Sequence, residues 1–291
     1  MHRSIIILLL LCSLCSAQMN DSFQDTLGLP PDFSSNLTQG LVGYWPLNDG
    51  AGPGGTTFDQ SGNGNHGTLV ADTHSVISER GRCLSFDGTG DYVNMGNVAA
   101  LDLSTFGTIS AWVKTGISEW EAIVSKGSWG VIRNGYVLEL ISGQIYLALD
   151  NATAHSDYAS GVSGLNDNKW HNIVVNWNGT TVSFYSDSAF LSNSVQTLIP
   201  TGGVYNFKIG YEGYYFNGSI DEVMIFNRAL SAQEVQQLYR YGLHKHRDPI
   251  ELWNPAAPTS GAQVIMMSTM GPLIIFLCVM GIKRKHSKVT K

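Results

Sequence analysis

The sequence predicts an all-β fold, a two-sheet antiparallel sandwich closed by one short C-terminal helix, followed by a separate transmembrane helix. Three observations predict it. Strand-like apolar runs recur at short, regular spacing through the middle of the chain. Glycine supplies 32 of the 291 residues against nine prolines, which suits many strands joined by tight turns. Only one strong helix start stands in this region, at Ser231 to Glu234.

The elements follow in order. Residues 41–47 open the domain as an apolar strand, and glycine-rich turns occupy 48–55 and 59–67. Residues 80–93 read as a hairpin bent at Asp87-Gly88, and 106–113 alternate as a core strand. Residues 122–127, 136–141 and 144–149 are further strands, the last two joined across Ser142-Gly143. Residues 170–177 turn at Asn178-Gly179 into 181–185, and 207–211 add another strand. In the last strand Ile220, Val223, Ile225 and Phe226 suit a half-buried sheet, and Asn227-Arg228 breaks the run. Ser231 and Glu234 form a capping box, each satisfying an orphan backbone donor. Val235, Leu238 and Tyr239 then share one helix face.

The two ends of the chain read differently. Met1-His-Arg3, an apolar run and a small-residue end at Ala17 make a secretory signal peptide over 1–17. Residues 18–39 are a polar arm, and 243–261 a polar, proline-bearing stalk. Residues 262–282 carry no charge, long enough to span a bilayer core. The basic tail 283–291 puts this end in the cytoplasm, as in a type I single-pass protein at the cell membrane. Six of the 17 basic residues lie at these two ends, leaving eleven against all 23 acids. An acidic body excludes nucleic acid as partner, because phosphate binding needs a basic face. Cys83 is the only cysteine of the body, so it has no intrachain disulfide partner there and reads as a buried thiol.

Four stretches carry a resemblance. They are F-x-G-x-I-D-E-V-x-I-F-N-R-A-L-S-x-x-E-V at 216–235, D-x-S-G-N-G-N-x-G at 59–67, G-x-x-L-x-F-D-G-x-x-D-Y-V at 81–93 and W-H-x-I-x-V at 170–175. Together they resemble the laminin-G-like, concanavalin A-like jelly rolls over residues 40–242. The resemblance implies a jelly roll, a fold that hosts lectins, adhesion modules and glycan hydrolases alike. One departure stands out: the family commonly has Y-x-D-G where this chain has Tyr185-Ser-Asp187-Ser188, which implies a changed turn.

Chemistry-bearing patterns were weighed next. A hydrolase of the glucanase type would resemble its family in presenting E-x-D-x-x-E on one strand, and no such triplet occurs. Glu119-Trp-Glu121 is the closest carboxylate pair and reads as a solvated rim. No H-E-x-x-H, G-x-S-x-G or phosphate-loop pattern is present. His66, His155 and His171 read as surface or satisfied residues, not as ligands. A hard cation takes several oxygens, so Asp59, Asp87, Asp91 and Asp221 are the candidates for a structural calcium, which related jelly rolls often carry. Trp120, Trp129, Tyr211, Tyr214 and Tyr215 are aromatics in or beside turns, the residues that sugars and interfaces favour. Phe216 reads instead as a plug of the sandwich end. Asn20, Asn36, Asn151, Asn178 and Asn217 head glycosylation sequons, and a glycan on Asn217 would shield the neighbouring tyrosines.

The expectation is a cell-surface recognition protein that binds an extracellular protein or glycan without catalysis. A calcium-dependent lectin is the first alternative, and a glucanase-type hydrolase the second.

Overall fold

Alternation along each strand sorts side chains into two sheets and the layer between them. The computed structural model describes residues 35–49, 52–127 and 134–245. The expected signal peptide, the expected transmembrane segment 262–282 and tail, and most of the expected arm and stalk lie outside them, and within the described residues no helix is long and apolar enough to cross a membrane.

After helix α1 (Ser35–Thr38), the first strands are β1 (Leu41–Trp45), β2 (Thr56–Thr57), β3 (Gly67–Val70), β4 (His74–Ser78), β5 (Gly81–Asp87) and β6 (Tyr92–Gly96). Next come β7 (Phe106–Lys114), β8 (Trp120–Lys126), β9 (Gly135–Ile141), β10 (Gln144–Asn151), β11 (Ala154–Ala159) and β12 (His171–Asn178). The rest are β13 (Thr181–Ser186), β14 (Ala189–Val195), β15 (Phe207–Ile209), β16 (Tyr211–Glu212), β17 (Tyr214–Tyr215), β18 (Asn217–Phe226) and helix α2 (Ala232–Lys245).

One sheet runs β14-β13-β12-β7-β18-β5-β4, with β1 pairing the far half of β18; the other runs β11-β10-β9-β8-β15-β6-β3-β2. Antiparallel pairing of β1 with β18 brings the first and last strands together. Between the sheets lies the main core, in which Trp45 stacks on Phe207 at 5.1 Å and Phe86 meets Phe216 edge-on at 6.1 Å. Phe216 is fully buried, as its reading as a plug requires, and so is the free thiol of Cys83. A second cluster, including Tyr44, Val174, Met224, Phe226, Val235 and Leu238, seals α2 onto the outer face of the first sheet. The capping box forms as expected: Glu234 Oε2 accepts from Ser231 N at 2.8 Å, and Ser231 Oγ accepts from Glu234 N at 3.3 Å.

Two expectations change. Residues 80–93 do not make a hairpin, because β5 pairs within the first sheet and β6 within the second. Their Asp87–Asp91 connection crosses between the sheets. The altered turn at Asp187-Ser188 keeps a left-handed backbone without glycine, at φ 51° and 67°. The Asp187 carboxylate holds it there, accepting from Asn172 N at 2.9 Å and meeting His171 Nδ1 at 2.8 Å.

A polar network lies beneath α2. A bulge in β18 leaves Glu222 at φ 50° and sends both Asp221 and Glu222 to the helix side. Asp221 is fully buried, and Tyr44 Oη donates to Glu222 Oε2 at 2.7 Å. Arg80 lies with its guanidinium 3.4 Å above the Trp112 ring and donates from Nη2 to Gly242 O at 2.8 Å. Burial lowers the Arg80 pKa, and the charges of Asp221 and Glu222 oppose that shift.

Candidate ligand-binding face

The outer face of the second sheet is built by the same alternation. Across it, Asp157, Ala148, Val137, Ser125, Lys208, Asn94 and Thr68 follow one another in register from β11 to β3. One step along lies the row Ala159, Tyr146, Glu139 and Ala122, and Trp120 opposes Ile141 beyond it. The middle of this face is made of small side chains, and Ala122, Val137 and Ala148 form a buried cluster of their own. These small side chains are covered, with Ala122 at 0%, Val137 at 5% and Ala148 at 6% exposure.

The β16–β17 hairpin packs over β8 on this side of the sheet. Gly210, at φ 87°, makes the entry turn, and a Cβ there would lie 2.6 Å from the Phe86 ring. Ser125 Oγ donates to Tyr211 O at 2.8 Å, tying the hairpin to β8. Tyr211 stacks on Tyr215 at 4.4 Å and leans on Tyr92 at 5.5 Å. Lys208 Nζ lies 4.8 Å from the Tyr211 ring centroid and pairs with Glu212 Oε2 at 3.2 Å. Beyond them Trp120 and Tyr214 form a tilted ring pair at 5.6 Å, each about two-fifths exposed at 40% and 41%. Four of the five expected aromatics are thus brought to one hairpin and its supporting strand, and Trp129 lies outside the described residues. Tyr92 and Lys208 went unpredicted. Tyr92 could have been found as the alternate residue after Asp91; nothing local marks Lys208.

Carboxylates border the same face. Asp150 and Asp157 flank His155, at 2.8 Å and 3.0 Å from its ring nitrogens. Burial works against the His155 charge, but those two hydrogen bonds outweigh it and raise the pKa. Glu121 points the other way, into the sandwich. Its Oε1 accepts from Asn217 N at 2.9 Å, and the Thr115 hydroxyl lies 3.0 Å and 2.9 Å from its two oxygens. Burial pushes its pKa up to about 7. The expectation of a solvated rim therefore fails for Glu121, which is buried, and holds for exposed Glu119.

The four calcium candidates separate. Asp59 organises its own turn, its Oδ1 accepting from Tyr44 N and Ser61 N and its Oδ2 from Asn65 N. Asp221 lies in the network under α2. Asp87 and Asp91 do come together, joined by Asp72, with one oxygen from each of the three within 4.8 Å of the others. Asp91 is buried and staples two turns, accepting from Asp72 N and Asp87 N at 3.0 Å each. Burial and the neighbouring charges of Asp87 and Asp72 raise its pKa, so the cluster is one whose like charges a hard cation would relieve. His66 accepts from Asp59 N at 3.1 Å, and His171 lies between Asp167 and Asp187, so these histidines are structurally engaged.

Two sequons share one conformation. Asn151 Oδ1 accepts from Thr153 N, Thr153 Oγ1 and Ala154 N, and Asn178 Oδ1 accepts from Thr180 N, Thr180 Oγ1 and Thr181 N. Asn217 is exposed at the start of β18. Asn20 and the Asn36 side chain lie outside the description.

Comparison with known proteins fits this architecture. A family model described as the concanavalin A-like lectin/glucanases superfamily matches residues 87–236. The binding domain of Paraclostridial Mosquitocidal Protein 1 superposes with TM-score 0.58 and 16% identity, over 70% of this chain and 52% of that one. Domain 4 of AbnA, an extracellular arabinanase from Geobacillus stearothermophilus in complex with arabinotriose, gives 0.54 and 17%, over 68% and 98%. A botulinum neurotoxin type C structure, described as dependent on two ganglioside molecules for cell entry, gives 0.56 and 14%, over 72% and 52%. The match thus spans about half the length of the two toxin chains. At these identities the likeness concerns the fold alone. No curated protein sequence matches the chain significantly.

Proposed function

The chain belongs to the concanavalin A-like lectin/glucanases superfamily, and from that premise we propose a non-catalytic recognition module that holds a glycan on the outer face of its second sheet. The observation that carries this reading is the Trp120–Tyr214 ring pair, about two-fifths exposed, which the β16–β17 hairpin sets against β8. Sugar rings present C–H faces that pack on aromatic rings, while their hydroxyls reach polar groups at the border. The fold is shared with an arabinanase domain described in complex with arabinotriose, which supports the reading by analogy of fold. Catalysis stands outside the proposal, since Glu121 is held inside the sandwich by Thr115 and Asn217.

In the same reading the domain is displayed outside the cell, its leader cut after Ala17 and its 262–282 segment in the membrane. Intact cells expressing the full chain should bind fluorescent oligosaccharides, and Trp120→Ala or Tyr214→Ala should weaken binding at least about tenfold, about 1.4 kcal/mol. Undiminished binding by both variants at equal surface levels would sink the platform, and an antibody to the domain that stains only permeabilised cells would sink the topology.

Calcium enters as a structural ion at Asp72, Asp87 and Asp91, which would supply carboxylate oxygens to it. Added calcium should then raise the melting temperature, and Asp87→Asn should abolish that rise. Asp91→Ala should destabilise with or without calcium, by about 1–3 kcal/mol, because two half-buried backbone N–H groups lose their carboxylate acceptor. A melting temperature indifferent to calcium and EDTA would leave Asp91 as a staple only.

A further inference from the structure

The Asn151 and Asn178 sequons sit at one end of the sandwich. Thr201 N donates to Asp150 O at 3.1 Å, Gly179 N donates to Gln196 Oε1 at 2.7 Å and Gln196 N donates to Thr180 O at 2.8 Å, so residues 196–201 join the two turns. The bonds that shape each turn all end on the asparagine Oδ1 and leave Nδ2 out of it. This end lies away from the Trp120–Tyr214 pair. Trp120 opposes Ile141, which opposes Gln144, and β10 then runs from Gln144 to Asn151, about 24 Å at about 3.4 Å per residue. A row in register crosses four strands beside the second turn: Phe106, Asn178, Thr181 and Val195. Phe106 is 51% and Val195 76% exposed, so apolar side chains stand in solvent on either side of Asn178. Asn217 is set differently. A Cβ added to Gly88 would lie 3.0 Å from its Nδ2, its N and O are engaged by Glu121 and Thr115, and Ser219 is paired on both sides, with Lys114 and Ser85.

We propose that Asn151 and Asn178 carry N-linked glycans, that the Asn178 glycan covers Phe106 and Val195, and that Asn217 stays bare. The inference rests on the reading that the domain is displayed outside the cell. The donor is an oligosaccharide on a polyprenyl diphosphate. Nδ2 attacks the anomeric carbon, the new C–N bond replaces the C–O bond to the diphosphate, the lipid diphosphate leaves, and Nδ2 gives up one proton. Each acceptor turn is held by bonds between near neighbours in sequence, so it needs no distant part of the chain to orient the carboxamide. A sugar offers C–H faces to the Phe106 ring and the Val195 methyls and turns its hydroxyls to water, which removes two exposed apolar side chains from the surface. At Asn217 the same bond would need the amide to leave Gly88, and its setting depends on Glu121 and Thr115, from distant strands. The sugars thus gather at one end and leave the Trp120–Tyr214 pair open.

The test expresses the full chain in cultured animal cells and maps each sequon by peptide mass spectrometry after N-glycosidase, which converts an occupied asparagine to aspartate. Asn151 and Asn178 should be converted and Asn217 should not. Thr153→Ala and Thr180→Ala, which keep the asparagine Oδ1 as the acceptor of the turn, should each remove one glycan's mass. Hydroxyl-radical footprinting of intact cells should show Phe106 oxidised severalfold more in Thr180→Ala than in the wild type, and no more in Thr153→Ala. Equal oxidation of Phe106 in all three, with Asn178 occupied in the wild type, overturns the cover. Asn217 modified, or Asn151 or Asn178 bare, in a chain that an antibody stains on intact cells overturns the assignment of sites and leaves the extracellular reading standing. No glycan at any sequon, with staining only after permeabilisation, overturns that reading and this inference together.

Discussion

Replacing Arg80 with methionine is expected to destabilise the domain by about 2–5 kcal/mol, since it removes a charged hydrogen bond and a buried ring contact. The guanidinium lies on the face of Trp112, and its Nη2 reaches the Gly242 carbonyl in the last turn of α2. A cation at a helix C-terminus meets the negative end of the backbone dipole. Fully buried Asp221 and almost fully buried Glu222 lie in the same layer, and both raise the Arg80 pKa through their charge. Methionine would fill most of the volume but remove the ring contact, the bond to Gly242 O and the positive charge that Asp221 and Glu222 act on. The second consequence is local: α2 would lose a tie near its C-terminal end while its capping box remained. Chemical denaturation of the wild type and the variant measures the loss, and hydrogen exchange should show the last turn of α2 opening first. A loss under 1 kcal/mol would mean that the carboxylates are neutralised by other groups. Asp221→Asn made together with Arg80→Met should recover part of the stability, since it removes a buried negative charge that acts on Arg80.

The same residues mark what a sequence alone can and cannot disclose. The last strand, its break at Asn227-Arg228 and the capping box were legible because each is a local device with a short period or a fixed offset. The Ser142-Gly143 hairpin was legible for the same reason, and both residues adopt positive φ there. Residues 80–93 misled because a glycine-rich bend between two alternating runs looks identical whether it returns within a sheet or crosses to the other. What decides is Asp91, whose carboxylate collects the backbone of both Asp87 and Asp72, a contact across the chain. Strands β4, β11 and β14 carry few apolar residues and went unread, being edge or near-edge strands whose exposed sides need none. Asp221 reads as a calcium candidate because its burial under α2, near the charge of Arg80, is set by a distant part of the chain. The aromatic hairpin was visible in Tyr211, Tyr214 and Tyr215. Its supports Tyr92 and Lys208, and the buried cluster of Ala122, Val137 and Ala148, are set side by side only by the strand order.

Glu121→Gln is expected to make the protein more stable at pH 8, by about 1–3 kcal/mol, and to leave it nearly unchanged below pH 4.5. Burial raises the Glu121 pKa from 4.5 to about 7, so the folded state holds a proton that the unfolded chain releases. The sign follows: this contribution is full below pH 4.5 and is lost as pH rises to about 7. Burial sets the preference and outweighs the hydrogen bonds from Asn217 and Thr115, which favour the ionised form. With the carboxyl protonated, its O–H donates to Thr115 Oγ1, the threonine hydroxyl donates to Asn217 O, and Asn217 N donates to Glu121 Oε1. Ile117 N completes the set by donating to Thr115 Oγ1 at 3.1 Å. Ionised, Glu121 competes with Asn217 O for the one threonine proton. Glutamine reproduces the neutral arrangement, its amide N–H replacing the acid O–H, and so carries it to any pH. Because the other acids titrate alike in both proteins, the difference in unfolding free energy between variant and wild type isolates this group. That difference should grow from pH 4.5 to pH 7 and then level off. A variant less stable than the wild type at pH 8 would mean that the ionised carboxylate is what the Thr115–Asn217 pair was built to hold. Asn217 begins the strand that follows Tyr214 and Tyr215, so the same titration reaches the base of the aromatic hairpin. Binding by the wild type should therefore weaken from pH 5 to pH 8 if hairpin order contributes to affinity, and binding by the glutamine variant should not.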